Sequence, residues 1–493
     1  MRTSHVDDVL GYGKITRVFC WFFASLACLA LLSAPEATHD EMFHATNIWC
    51  GHGERDPYCS GIRLDVESPG ALVNIDWVTC QRDVTHPLAC ARDRSGEAFR
   101  TVNHNNLYPG FYYWALSWFV VPSFELSIVF TRLASAFAIV AVLALMTRLL
   151  PSRERLVLFL VVLTALPSTG HFLFSSINPS SWTALGVGFG SLALHASLSI
   201  ERGLDRRRIA LVAVSVLMFG MAVGSRWDAI PMIGFISLLV LGRRFMSRGI
   251  RPVRSILVLA AIVSGLAFIL QGNYHLSPSR FVPLLFTFSQ DEPNNLTFMS
   301  HNLLYALPNT LGALGTVPSL SGIYVPSVVG TANLALLVVL LVAAANWRNR
   351  AQSLGTLVSV SMIAMTIAIH VALVDNRDPF GIEPRYVFPM LPFVVGWWFL
   401  FGPERLEDQV RKYLNGGMIV AVLSFGLWTF SIAERFVDRQ SFGLRLLPEG
   451  RDQWWWSWLP VGPNLVLLMA VFSYGIFIWR FRALVVTHRS GVE

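Results

Sequence analysis

The chain has 493 residues, 54% of them hydrophobic and only 14% charged, which excludes an ordinary soluble domain and indicates a polytopic membrane protein. Its net charge of +7 does not indicate nucleic acid. The basic residues, all arginine except Lys14 and Lys412, stand in short clusters between apolar runs, as the positive-inside bias requires.

Lys14 and Arg17 assign the N-terminal segment 1–16 to the cytoplasm, and 17–34 reads as the first span. Trp21, Phe22 and Phe23 make that run longer and bulkier than a cleaved signal, whose apolar region is usually about 7–15 residues. A large first outer loop, 35–125, opens with Asp40, Glu41 and His44 and then carries Cys50, Cys59, Cys80 and Cys90. Cysteines on an oxidising face tend to pair, and local spacing favours Cys50–Cys59 with Cys80–Cys90. A zinc site of Cys50, His52 and Cys59 is the alternative, with a spacing that fits no common zinc pattern.

The run 110–121, GFYYWALSWFVV, is short for a span, and crossing there would place Arg148, Arg153 and Arg155 outside. It is therefore expected to lie in the outer interface as a juxtamembrane helix carrying Tyr112 and Tyr113. Transmembrane helices two to seven occupy 126–271, an outer loop 272–327, helices eight to twelve 328–479, and a cytoplasmic tail 480–493. The expected fold is an all-α polytopic membrane protein of about twelve spans, each needing roughly 20 apolar residues. The run WWWSW (454–458) and Tyr386 read most simply as an interfacial aromatic belt.

Under this topology the unusual polar residues converge on one face. SSINPSS contributes Asn178, GSRWDAIP contributes Arg226 and Asp228, and DNRDPFGIEPRYVFPMLP contributes Arg385 and Tyr386. Each has a plain reading: a turn ion pair for Arg226 and Asp228, an anchor to lipid phosphate for Arg385, headgroup-level charge for Asp40 and Glu41. Their occurrence together favours a functional surface.

The segments HDEMFH, NNLYPGFYYWAL and FTRLASAFAIVAVLALMTRLL follow one another in an order that resembles the GT-C glycosyltransferases. Within that superfamily the chain is most similar to a bacterial group of GT-C-like membrane proteins of unknown function. The matching residues are Asp40, Glu41 and His44 after the first span, Asn178 and Pro179, and Arg385, Tyr386, Pro389 and Pro392 late in the chain. Departures are ATHDE where the group has PPDE, Ser180 where it often has Asp, and Pro384 where Gly is usual.

The resemblance implies a polyprenyl-phosphate-linked sugar as donor and a glycan, lipid or protein as acceptor, on the periplasmic or extracellular side of a bacterial plasma membrane. In that scheme Asp40 is the general base, Glu41 orients a substrate or assists a metal, and His44 supports the pair. Arg385 and Arg226, with Tyr386, hold the donor phosphate. A divalent cation, Mg²⁺ or Mn²⁺, is a further option for which one Asp–Glu pair is too small a ligand set. A transporter or flippase of lipid-linked glycans and a glycan polymerase or ligase remain as alternatives.

Overall fold

The computed structural model of the chain describes residues 11–33, 41–49, 73–74, 97–98, 108–166, 169–200, 205–248, 310, 327–346, 349, 352–353, 355–357, 363, 384–437, 456 and 459–486. Asp40, Cys50, Cys59, Cys80, Cys90 and the expected span 255–271 lie outside them, as does most of 353–374. In chain order the elements are α1 (Tyr12–Leu32), α2 (Glu41–Trp49), β1 (Val73–Asn74), β2 (Glu97–Ala98), α3 (Gly110–Ser117), α4 (Phe124–Leu149), α5 (Ser152–Ala165), α6 (Thr169–Phe174) and α7 (Pro179–Ala184). A π-helical stretch, Leu185–Gly190, joins α7 to α8 (Ser191–Ser199), followed by α9 (Arg206–Val223), α10 (Ala229–Arg248) and α11 (Ser327–Ala343). The chain ends with α12 (Pro384–Val387), a 3₁₀ turn (Phe388–Met390), α13 (Leu391–Leu400), α14 (Leu406–Val437) and α15 (Pro463–Val486).

The fold is thus mostly helical, and among the described residues the one strand pairing sets Val73 opposite Ala98 and Asn74 opposite Glu97. Among the described residues, four helices, α1, α4, α14 and α15, are long and apolar enough to cross a membrane, with qualifying stretches of 20 to 28 residues. The expected span 155–174 is taken up by two helices, α5 and α6, with Pro167 between them in the sequence. Proline removes an N–H and clashes with the preceding turn, so a helix arriving there stops.

Helix association in lipid gains little from hydrophobicity and relies on close packing. Here α1 packs chiefly against α15 and α4. Phe22 stacks on Phe477 at 4.4 Å between centroids, and Phe19 meets Phe477 and Phe481 edge-on at 5.9 and 5.6 Å. Phe137, Val216, Leu423, Leu468 and Trp479 point outward instead, the apolar exterior that a lipid-facing surface requires. Trp456, expected in an aromatic belt, is a core residue: it is 1% exposed and its indole N–H donates to the Leu31 carbonyl at 2.7 Å. The last-turn carbonyls of a helix have no partner within it, and Trp456 satisfies one of them.

The π-helical stretch LGVGFG fixes the middle of the bundle through three glycines. A Cβ at Gly186 would run into the Met218 carbonyl and Ala222 on α9, and one at Gly190 into the Phe219 ring at 2.9 Å. At Gly188 it would meet Pro392 at 2.6 Å. Bare backbone on two faces lets α7 and its continuation sit between α9 and the α12–α13 segment. That contact brings Arg385 and Tyr386 beside the start of α7.

Candidate functional site at the end of the first helix

Where α1 ends, α2 begins its visible course with Glu41, whose carboxylate is fully buried. It faces Arg132 of α4 in a two-point pair, Nε to Oε1 at 2.8 Å and Nη2 to Oε2 at 2.6 Å. Arg132 is also fully buried, and its Nη1 donates to the carbonyls of Ala30 and Ser33, both at 2.7 Å. The Ile177 amide donates to Glu41 Oε1 at 3.1 Å. One carboxylate and one guanidinium therefore join α2, α4, the end of α1 and the turn before α7. A buried pair of charges persists only when its remaining donors and acceptors are also bonded, and here they are.

One turn further along α2, His44 is buried with Nδ1 2.9 Å from the Tyr113 hydroxyl and its ring edge-on to Tyr108 at 4.9 Å. Tyr113 comes from α3, which turns Tyr112, Tyr113 and Leu116 inward and leaves Phe111 and Trp114 exposed, with Trp118 exposed just past its end. Such a two-faced aromatic helix suits a membrane interface. Tyr112 is completely buried against Trp182, with ring centroids 5.0 Å apart. Ser135 and the Asn178 backbone are the polar groups that act on its hydroxyl, but burial dominates and pushes its pKa above the ordinary tyrosine value.

Asn178 caps α7: its side-chain oxygen accepts from the Ser180 amide at 2.9 Å, and Pro179 occupies the first helical position. The Ser180 hydroxyl in turn accepts from Arg226 Nη1 at 3.0 Å. Arg226, in the turn between α9 and α10, is held by Asp228 through Nε to Oδ1 at 2.9 Å and Nη2 to Oδ2 at 2.6 Å. Burial works against its charge, but the Asp228 carboxylate outweighs it and leaves the guanidinium pKa above its usual value.

Tyr386 is in contact with two cations. The guanidinium carbon of Arg226 is 4.6 Å and that of Arg385 5.0 Å from its ring centroid, and Arg385 Nη2 donates to its hydroxyl at 3.2 Å. Arg385 itself is 2% exposed. Cations over an aromatic face are attracted by its quadrupole, which offsets part of the repulsion between the two arginines.

The structure accordingly brings Arg226, Arg385 and Tyr386 into one cluster. Through Ser180 and the Asn178 turn it connects them to Ile177 and Glu41, with His44 and Tyr113 alongside. The turn ion pair of Arg226 and Asp228 is present as the plain reading expected. Glu41, expected to orient a substrate or assist a metal, has both oxygens on Arg132, and among the described residues no three His, Cys, Asp or Glu side chains gather as a ligand set. Sequence reading singled out neither Arg132 nor Tyr108 as a site residue. Arg132 carried a usable signal: it is the sole charged residue in the run 126–147, and an arginine within an apolar span requires a partner.

A small, partly open apolar pocket is lined among others by Val161, Gly188, Leu192, Val240, Pro392 and Gly396. Gly188 and Pro392 belong to the stretches that lead down from Ser180 and Tyr386. His195 also lines the pocket, with Nδ1 3.8 Å from Glu154 Oε1.

No curated protein and no solved structure matches this chain significantly. The family described as Predicted membrane protein (DUF2142) does match, and no glycosyltransferase family does. The match covers residues 23–394. It runs from the middle of α1 to the start of α13 and takes in every polar group from Glu41 to Tyr386, so this membrane protein belongs to the DUF2142 family.

Proposed function

We propose that this protein is a GT-C-type membrane glycosyltransferase of about twelve spans, each roughly 20 residues long. It transfers a sugar from a polyprenyl-phosphate carrier to a glycan, lipid or protein acceptor at the outer face of a bacterial plasma membrane. The observation that carries this reading is the Arg226–Tyr386–Arg385 stack, joined through the Asn178–Ser180 turn to the acidic segment after α1, at one end of an apolar bundle. A lipid phosphate and a polar acceptor meet only at such a boundary.

In the proposed reaction the Asp40 carboxylate takes the proton from the acceptor hydroxyl. The acceptor oxygen attacks the anomeric carbon from the face opposite the phosphate, the carbon–oxygen bond to phosphate breaks with its electron pair, and the configuration inverts. Charge accumulates on the departing polyprenyl phosphate. Arg385, with Arg226 behind the shared ring, offers preorganised N–H donors to it, and low dielectric strengthens their effect. Arg226 is partly neutralised by Asp228, so Arg385 bears more of this task.

The test is transfer from a radiolabelled polyprenyl-phosphate-linked sugar in membranes that contain the protein. Asp40→Asn is expected to abolish product, and Arg385→Ala to weaken donor binding. Normal turnover by a well-folded Asp40→Asn variant would remove Asp40 as the base. Movement of the lipid-linked glycan across the membrane with no transfer product would replace the enzyme reading with a transporter.

A further inference from the structure

We propose that Arg132 is the positioning residue of the segment that opens α2, and that Glu41 is committed to the fold rather than to a substrate or metal. Glu41 accepts three hydrogen bonds, two from Arg132 and one from the Ile177 amide, and has no exposed surface. A substrate or metal would have to displace a guanidinium from it.

Arg132 is suited to this task by its planar fork. Nε and Nη2 engage both carboxylate oxygens while Nη1 reaches two carbonyls at the end of α1. A lysine ammonium has neither the plane nor the reach for all four acceptors. Holding Glu41 against α4 and the turn before α7 therefore fixes the start of α2. The assignment of chemistry to Asp40 rests on the glycosyl-transfer reading; the clamp itself does not.

The full-length protein in lipid nanodiscs is compared with Glu41→Gln, Arg132→Met, Arg132→Lys and the double variant Glu41→Gln/Arg132→Met. In hydrogen exchange, the amides of 41–49 and of Ile177 are expected to exchange roughly 10-fold faster in Glu41→Gln and Arg132→Met, with α14 and α15 unchanged. Arg132→Lys, which keeps the charge, falls between them and wild type and serves should the other variants fold poorly. This arm needs no substrate, and unchanged exchange overturns the proposal whatever the protein's activity.

The second arm measures transfer from the radiolabelled donor. Both single variants are expected to lose turnover by the same factor, on the order of 100-fold for a displaced reacting group, with donor KM little changed and the double variant no worse than either. A Glu41→Gln loss far exceeding that of Arg132→Met, with additive losses in the double variant, would mean that Glu41 acts on substrate directly and overturns the proposal. Absence of transfer by wild type defeats the glycosyltransferase reading and the role given to Asp40, while the exchange arm still decides the clamp.

Discussion

The guanidinium carbon of Arg226 stands 4.6 Å above the ring of Tyr386, whose hydroxyl accepts from Arg385. One phenol ring thus contacts two cations that would otherwise repel. Replacing Tyr386 with Leu removes the ring, at roughly 0.5–2 kcal/mol for each cation–π contact. We expect the Kd for a polyprenyl phosphate in detergent to rise about 10-fold, since 1.4 kcal/mol is a factor of ten. Tyr386→Phe keeps the ring and should change the Kd by less than about 3-fold. Equal losses in the two variants would locate the effect in the hydroxyl rather than the ring.

Asp228 is the counter-ion that lets Arg226 stay charged while buried. Removing one partner of a buried pair costs about 3–5 kcal/mol, and the partial exposure of Asp228 places Asp228→Asn near the lower end. Thermal unfolding in detergent should show the loss. A Ser180→Ala variant, which removes only one of three hydrogen bonds to the same guanidinium, should cost about 1–2 kcal/mol. An Asp228→Asn protein as stable as wild type would show that the ion pair contributes nothing.

Gly188 tests the claim that close backbone approach places the arginine–tyrosine cluster. A methyl group there would lie 2.6 Å from Pro392, too near for any ordinary contact. Overpacking of this kind costs typically 1–3 kcal/mol. Because Pro392 continues from the segment bearing Tyr386, Gly188→Ala should weaken polyprenyl phosphate binding as well as lower the melting temperature. Lower stability with unaltered binding would uncouple the π-helical stretch from the site.

Tyr112 gives a prediction in pH. Its hydroxyl is fully buried near Ser135 and the Asn178 backbone, so Tyr112→Phe should change stability at neutral pH by no more than about 1 kcal/mol. Burial keeps the folded pKa above the unfolded value of about 10. As pH rises past that value the unfolded chain releases this proton while the folded one holds it, and stability falls. Wild type should therefore lose stability more steeply than Tyr112→Phe at alkaline pH, by about 1.4 kcal/mol per pH unit for a single group. Identical slopes in urea unfolding would indicate a hydroxyl in contact with water.

Much of the site's membership was legible from the chain. Asn178 and Pro179 announce a helix start by local chemistry, and the structure has Asn178 as cap and Pro179 at the first position. Arg226 and Asp228 are two residues apart, so their pairing needed only a turn. The use of Glu41 was not legible, because its partner Arg132 lies 91 residues away. Trp456 was misread for a similar reason: tryptophan clusters suit an interface, and nothing nearby in the chain reveals that its indole meets Leu31, 425 residues earlier.

By itself the sequence determined that this protein lives in a membrane, since a bilayer accepts only long apolar helices and writes that demand into every stretch of about 20 residues. It also determined which residues are too polar to face lipid. Tertiary structure alone decided which of them pair with one another: ion pairs and ring contacts act over a few ångströms in space and leave no periodic trace along the chain. Packing therefore assigned Arg132 to Glu41, Arg226 to Ser180 and Tyr386, and Trp456 to the end of α1.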